Sequence, residues 1–208
     1  MEEEKTAIEE LKEFAKRTKR EIDYKDEAYV ASGINPRTLL KQHAILSKLT
    51  EDEAYFVNFC DMAHSGDSAM YSGLFFQVDF PTSALVRVRQ KNVLDKMNLF
   101  SKKAEIKIGW KKFDSKVIVE EGDEASLKKL FQSQGTQSLI LDIFKLDPRL
   151  KFCVNHIDVG IVSELKNRST LGIYITEQWL LDEAVIKKLY TLVGKLKSKM
   201  QVAYEVHS

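Results

Sequence analysis

Four residues in one short stretch have side chains that could bind a metal ion: Cys60, Asp61, His64 and Asp67. Thiolate, imidazole and carboxylate groups are the ligands that zinc and manganese take in hydrolases. The same stretch contains Ser65-Gly66-Asp67, which are turn-forming residues that the tip of a β-hairpin requires in any case. The sequence therefore predicts a hairpin tip without a metal or cofactor, and a metal-dependent hydrolase using this loop is the alternative.

Other signatures of catalysis are missing from the sequence. The four histidines form no HxxxH or HExxH pair, and the chain has no CxxC, no GxSxG and no GxxxxGK[ST] motif. Asp61, Asp79, Asp114 and Asp158 offer no preferred acid–base pair. These observations favour a non-enzymatic binding or interaction module, whose partner would be another protein or a second copy of the chain.

A second group of residues could bind phosphate and stack on bases. Arg87 and Arg89 lie on one face of a predicted strand, and Trp110, Lys111 and Lys112 follow in the next predicted turn. The chain has 32 basic and 31 acidic residues, a net charge of +1, which argues against nucleic acid as a partner. Peripheral association with an anionic membrane is the remaining alternative for these side chains.

The first half of the chain predicts a helix followed by strands. Apolar residues at helical spacing indicate a helix over Glu2–Arg20. Between residues 35 and 49, a helix starting at Asn35-Pro36 and a strand from His43 are both compatible with the pattern. From Glu53 to Gln90 the apolar residues alternate, which predicts a hairpin and a further strand in an antiparallel meander.

The second half repeats strands and helices. Ala104–Ile108 and Phe113–Glu120 predict a hairpin around Gly109, and Asp123 is placed to cap the next helix. A short helix ending before Asp147-Pro148 follows. Three strands are then predicted around residues 152–154, 157–161 and 171–175. A final helix begins after Thr176 or Asp182 and extends to about Met200.

Together these elements predict an α+β fold in which antiparallel β meanders are covered by the N-terminal and C-terminal helices. We expect one domain over residues 1–208 with a soft internal boundary near 92–103, and two similar halves are an alternative arrangement. Cys60 and Cys153 lie in apolar runs and are predicted to be free thiols. The acidic N-terminus and the lack of a long apolar segment predict a cytoplasmic protein.

One phrase of the second half resembles a known group of proteins. Phe113-Asp114, Val117 and Val119, followed by the acidic turn at Asp123 and a helix containing Leu130, are similar to a motif of uncharacterised bacterial proteins. Many members of that group carry membrane-spanning segments ahead of a soluble α+β domain. The resemblance implies such a domain here and implies no catalytic residues.

Overall fold

Eight antiparallel strands form one open sheet, and the helices pack on it. The computed structural model describes residues 5–30, 37–50, 53–92, 95 and 106–205, with side chains as far as Met200. The strands are β1 (Ile22–Val30), β2 (Thr38–Leu46), β3 (Tyr55–Asp61), β4 (Met70–Gln77), β5 (Val86–Gln90), β6 (Val117–Glu121), β7 (Lys151–Val154) and β8 (Thr170–Thr176). The helices are α1 (Ala7–Arg17), α2 (Lys111–Asp114), α3 (Glu124–Phe131), α4 (Gln134–Phe144) and α5 (Glu183–Glu205). The predicted α+β class is confirmed.

The strand order is β1-β2-β3-β4-β8-β7-β5-β6. The first four strands form a meander, in which the predicted β3–β4 hairpin is confirmed. The prediction that β5 continues it is wrong, because β8 and β7 lie between β4 and β5. The chain leaves the sheet after β4 because Val78, Phe80 and Ala84 are buried among the helices. Of the eight strands, β1 to β5 precede the predicted boundary near 92–103 and β6 to β8 follow it.

Alternating side chains give the sheet two distinct faces. One row runs across five strands through the paired residues Phe56, Leu74, Ile173, Phe152 and Val88. All five are buried with residues of α1, α3, α4 and α5, and we call this cluster the helix-side core. The predicted cover by the N-terminal and C-terminal helices is confirmed.

On the other face a smaller cluster forms around Tyr71, Phe75 and Tyr174. A strand was predicted over residues 157–161, and this prediction is wrong: Ile157 and the apolar residues that follow it form a loop over this cluster. Asn155 has a φ of 52°, which turns the chain out of line after β7 and prevents the strand from continuing.

The terminal helices have clear start signals. The Glu9 carboxylate accepts from the Thr6 backbone N–H at 2.8 Å, as in a capping box for α1, and it also accepts from the Thr6 hydroxyl at 2.8 Å. Asp182 accepts from the N–H groups of Ala184 and Val185 at 2.9 and 3.0 Å and caps α5. The buried side of α5 consists of Ile186, Leu189, Val193, Leu196 and Met200. Val185 and Leu192 of α5, and Leu181 just before it, are only partly buried.

The open question between residues 35 and 49 is resolved as a strand, since Thr38–Leu46 form β2 and pair with β1 along its whole length. Asn35 and Pro36 lie outside the described residues. β2 pairs with β3 only from Lys41 to Leu46, so the end of the β1–β2 hairpin extends past β3.

The predicted hairpin over residues 104–120 is wrong in its described part. Lys111–Asp114 form a helical turn, and β6 pairs with β5 instead of with residues before Gly109. The turn forms because the Asp114 carboxylate accepts from the N–H groups of Ile108 and Gly109 at 2.9 and 3.0 Å. Phe113 is thereby fully buried, 5.3 Å from the Phe131 ring.

Two glycines allow the central strands to approach each other. Gly73 on β4 pairs with Tyr174 on β8, and a Cβ at Gly73 would lie 2.1 Å from the carbonyl oxygen of Ile173. Gly172 pairs with Phe75, and a Cβ there would lie 2.4 Å from the Phe75 ring. The β4–β8 junction, where the two halves of the sheet meet, therefore requires glycine on both strands.

The predicted boundary at 92–103 lies mostly outside the described residues. Both cysteines are free thiols, as predicted, and Cys153 is buried. Within the described ranges, no helix is long and apolar enough to cross a membrane.

Candidate functional site

The four residues of the alternative metal-binding loop at 60–67 are not brought together in the structure. Cys60 pairs with Gln42 and Met70 and lies on the face of the sheet that carries the helices, whereas Asp61 lies on the opposite face. Asp61 accepts hydrogen bonds from the Tyr29 hydroxyl at 2.7 Å and the Ala63 N–H at 2.9 Å. His64 Nε2 lies 3.6 Å from the Asp61 carboxylate, and this is the contact that the structure makes between functional groups of the four.

Asp67 joins a different set of side chains, on β7 and β8. Lys151 Nζ lies 2.8 and 3.0 Å from its two carboxylate oxygens, and the Tyr174 hydroxyl donates to it at 3.0 Å. Burial alone would raise the pKa of Asp67, but its contacts with His156, Lys151 and Tyr174 outweigh burial and hold that pKa well below its usual range. Among the residues that the structure describes, no three His, Cys, Asp or Glu side chains are placed to share a metal ion.

The two arginines of β5 are held by carboxylates. Arg87 Nη1 lies 3.3 Å from Asp67, and its Nε lies 3.0 Å from Glu120. Arg89 Nε lies 2.7 Å from Glu120, and its Nη1 and Nη2 lie 2.6 and 2.8 Å from the Asp95 carboxylate. A phosphate would have to displace these partners.

The remaining predicted phosphate-binding residues lie elsewhere. Trp110 packs against the helix-side core, and Lys112 Nζ lies 5.8 Å from its ring centre. Lys111 is exposed on α2. Arg87 and Arg89 alternate with core residues and point to the opposite face of the sheet. The structure thus divides the predicted basic surface between two faces.

A groove of about 1060 Å³ opens on the helix-bearing face of the sheet. Its floor is formed by side chains of four strands: the successive cross-strand partners Gln42, Cys60 and Met70, and Tyr24 on β1. The first turn of α1 forms one wall. The segment from Glu177 to Asp182 and the start of α5 form another, and residues 146–149 complete the rim.

Most of the groove lining is apolar and half-buried. Ile8, Met70, Leu146, Trp179 and Leu181 all have intermediate exposure. Methionine and aromatic side chains adapt to ligands of irregular shape because they are polarizable and offer large contact areas. A concave, mainly apolar site of this volume is typical of ligand and partner binding.

The wall that contains Trp179 is anchored from below. The Leu180 N–H donates to the Ser72 hydroxyl at 2.8 Å, and Ser72 in turn donates to the buried Asn58 carbonyl oxygen. Leu180 is itself buried. The neighbouring side chains at 179 and 181 are thereby held at the groove while their backbone is fixed to the sheet.

At neutral pH the Cys60 side chain is an uncharged thiol on the groove floor. Burial, followed by the nearby Asp61 charge, raises the pKa of its thiol. Burial raises the pKa of Cys153 to about 12, and that residue lies beneath Gly172 on the other face. Neither thiol has the lowered pKa of a catalytic nucleophile.

The two cysteines should differ sharply in reactivity. In the native protein at pH 8, we expect one thiol per chain to react with a disulfide reagent such as Ellman's reagent, more slowly than a free cysteine. Two thiols should react in guanidinium chloride. The Cys60→Ser variant is the control and should show no native reaction; rapid reaction of both native thiols would contradict the assignment.

Of the groove residues, sequence reasoning singled out only Cys60, and for another role. The strand residues Tyr24, Gln42 and Met70 come from three separate strands, so no local pattern relates them. The local signal is the apolar Trp179-Leu180-Leu181 segment, which precedes the Asp182 cap and lies outside the helix.

The chain matches no protein-family model, no curated protein and no solved structure. The similarity of residues 113–130 to uncharacterised bacterial proteins therefore stays a prediction.

Proposed function

We propose that this protein is a binding module that holds an apolar segment of a partner protein in the groove. The observation that carries the proposal is the groove itself, where side chains from four strands, two helices and two loops present a half-buried apolar surface. Isolated exposed apolar residues are normal on proteins, but a contiguous concave group of them is typical of an interaction site.

The electrostatics of the molecule support binding over catalysis. On the opposite face of the sheet, Asp67 is paired with Arg87 and Lys151, and Arg89 is paired with Asp95 and Glu120, so these charges already have fixed partners. In the groove, Arg149 is paired with Asp147 at the rim. The groove lining is left with apolar contact as its main source of affinity.

A neutral apolar dye tests whether the groove accepts apolar groups. We expect Nile red to bind saturably with one site per chain and a blue-shifted emission. The Met70→Glu substitution places a charge on the groove floor and should weaken dye binding by at least about tenfold, because burying that charge against the dye costs more than about 1.4 kcal/mol.

The matched control is Leu85→Glu, which adds the same charge at an apolar side chain that is 42% exposed and lies outside the groove. It should leave dye binding unchanged. If both variants bind the dye as the wild type does, or if both lose it equally, the proposed site is wrong. Circular dichroism of both variants confirms that each is folded.

A further inference from the structure

We infer that the occupant of the groove is a cationic amphipathic helix, and that it also covers the exposed face of the β1–β2 hairpin. The inference rests on the proposed function and specifies the partner. It follows from three features of the described residues, which are the apolar side chains beyond the groove on the same face, the length of that face and the acidic side chains along it.

Further exposed apolar side chains lie beyond the groove on the same face of the sheet. Leu40 lies two residues before Gln42 on β2, so both side chains point to the same face of the sheet, and Ala28 is the cross-strand partner of Leu40. Val30 follows Ala28 on that face. Leu40 is 44% exposed and Val30 67% exposed, and we call these three residues the hairpin face.

Met62 extends this surface sideways. Its N–H donates to the Leu40 carbonyl at 3.1 Å, and its side chain is 58% exposed. Leu40, Val30 and Met62 are three of the six large apolar residues that are most exposed among the described residues. Asp26, the exposed cross-strand partner of Gln42, lies between Tyr24 and Ala28 on this face, so one acidic side chain separates these apolar residues from the groove. A single occupant with a basic residue at that point would cover both patches.

The length of the surface selects the kind of occupant. Tyr24 on the groove floor and Val30 at the hairpin end are six residues apart on one strand, a distance of about 20 Å. A helix of about 13 residues has this length. A small apolar molecule that filled the groove would leave the hairpin face uncovered, whereas a helix laid along it would cover both.

The charged residues at the rim of the groove indicate that the occupant is positively charged. The lining contains Asp147, Glu177 and Asp182 but only one basic residue, Arg149, which is bound to Asp147. Glu177 and Asp182 are exposed at the start of the α5 wall. A helix with Lys or Arg beside its apolar stripe would be attracted by this rim, and an acyl carboxylate or an acidic helix would be repelled.

Three synthetic peptides of about 14 residues test the inference. The first carries Leu and Lys at helical spacing, the second has the same composition in strict alternation, and the third replaces Lys by Glu at helical spacing. Binding is measured by fluorescence anisotropy at low and moderate salt. We expect the helical Lys peptide to bind at least about tenfold more tightly than either of the others, and less tightly at higher salt.

Variants connect that binding to the surface. Leu40→Ser should weaken binding of the helical Lys peptide by at least about threefold. It should leave binding of Nile red in the groove unchanged, because Leu40 lies beyond the groove. Glu177→Lys should weaken binding of the same peptide by a similar factor. The control is Glu21→Lys, an equal charge change at an exposed residue just before the opposite end of β1.

The outcomes separate this inference from the proposed function. Preferential binding of the alternating peptide or the Glu peptide overturns the inference. A loss of affinity for the helical Lys peptide with Glu21→Lys as large as that with Glu177→Lys also overturns it. If no peptide binds but Nile red does, the inferred helical partner is wrong, and the proposed apolar binding site in the groove is retained. If Nile red does not bind either, both the inferred partner and the proposed function are wrong.

Discussion

Replacing Gly73 by alanine is expected to destabilise the protein by about 3 kcal/mol or more. The added Cβ would lie 2.1 Å from the Ile173 carbonyl oxygen and 2.5 Å from Tyr174 Cα. Both neighbours are backbone atoms, so no side chain can move aside and strands β4 and β8 must separate. Urea unfolding followed by tryptophan fluorescence measures the loss.

A glycine-to-alanine substitution at Gly194 should have the opposite effect on stability. Gly194 lies inside α5, and a Cβ at this position would meet no atom within 4 Å. Gly194→Ala should therefore raise the free energy of unfolding by about 0.5–1 kcal/mol, because alanine loses less backbone entropy in a helix. A Gly73→Ala protein as stable as the wild type would show that the strands do not approach as described; an insoluble one supports the expected loss.

The second large effect is expected at Asp67. Its carboxylate is 16% exposed and contacts Lys151, Arg87 and the Tyr174 hydroxyl, which link the tip of the β3–β4 hairpin to β5, β7 and β8. Asp67→Ala removes the shared acceptor from all three donors. Since partly buried donors lose their partner, we expect a loss of about 2–3 kcal/mol in the free energy of unfolding.

This contribution should also depend on pH. The pKa of Asp67 is lowered in the folded protein, so its stabilisation is fully present above the usual aspartate pKa of about 3.9 and is lost as pH falls through the lower folded value. The wild type should therefore lose stability from about pH 4 downward. Asp67→Asn should show a smaller decrease over the same range.

An exposed ion pair provides the control for both measurements. Asp142 lies 2.7 Å from Lys145 on the surface, with half of its side chain exposed. Asp142→Ala should cost less than about 0.5 kcal/mol. A cost at Asp67 no greater than at Asp142, or an acid transition of Asp67→Asn identical to the wild type, would contradict the role assigned to Asp67.

The sequence predicted elements well where local signals determine them. The alternation of residues 55–60 and the Ser65–Asp67 turn lead to the β3–β4 hairpin, and Asp123 caps α3 by accepting from the Ser126 N–H at 2.8 Å. The pattern misled where a tertiary contact competes with it. Residues 157–161 alternate like a strand, but their apolar side chains cover the Tyr71 cluster as a loop.

Strand order and the candidate site could not be predicted, for the same reason. Both depend on pairs of residues that are distant in the sequence, such as Gly73 with Tyr174 or Cys60 with Trp179. Four neighbouring residues around Cys60 resembled a site because they were close in sequence. In the sheet, adjacent residues point to opposite faces, so Cys60 and Asp61 are separated by the sheet itself.

The pairing of β4 with β8 also has a consequence for synthesis of the chain. β4 ends at Gln77 and its partner strand begins at Thr170, so roughly 90 residues must be translated after β4 before its second edge can be covered. At ordinary rates of elongation this takes about 5–20 s. During that interval the nascent N-terminal meander ends in the apolar strand containing Leu74 and Phe75, with its hydrogen-bonding edge open, and it is then most exposed to pairing with other nascent chains.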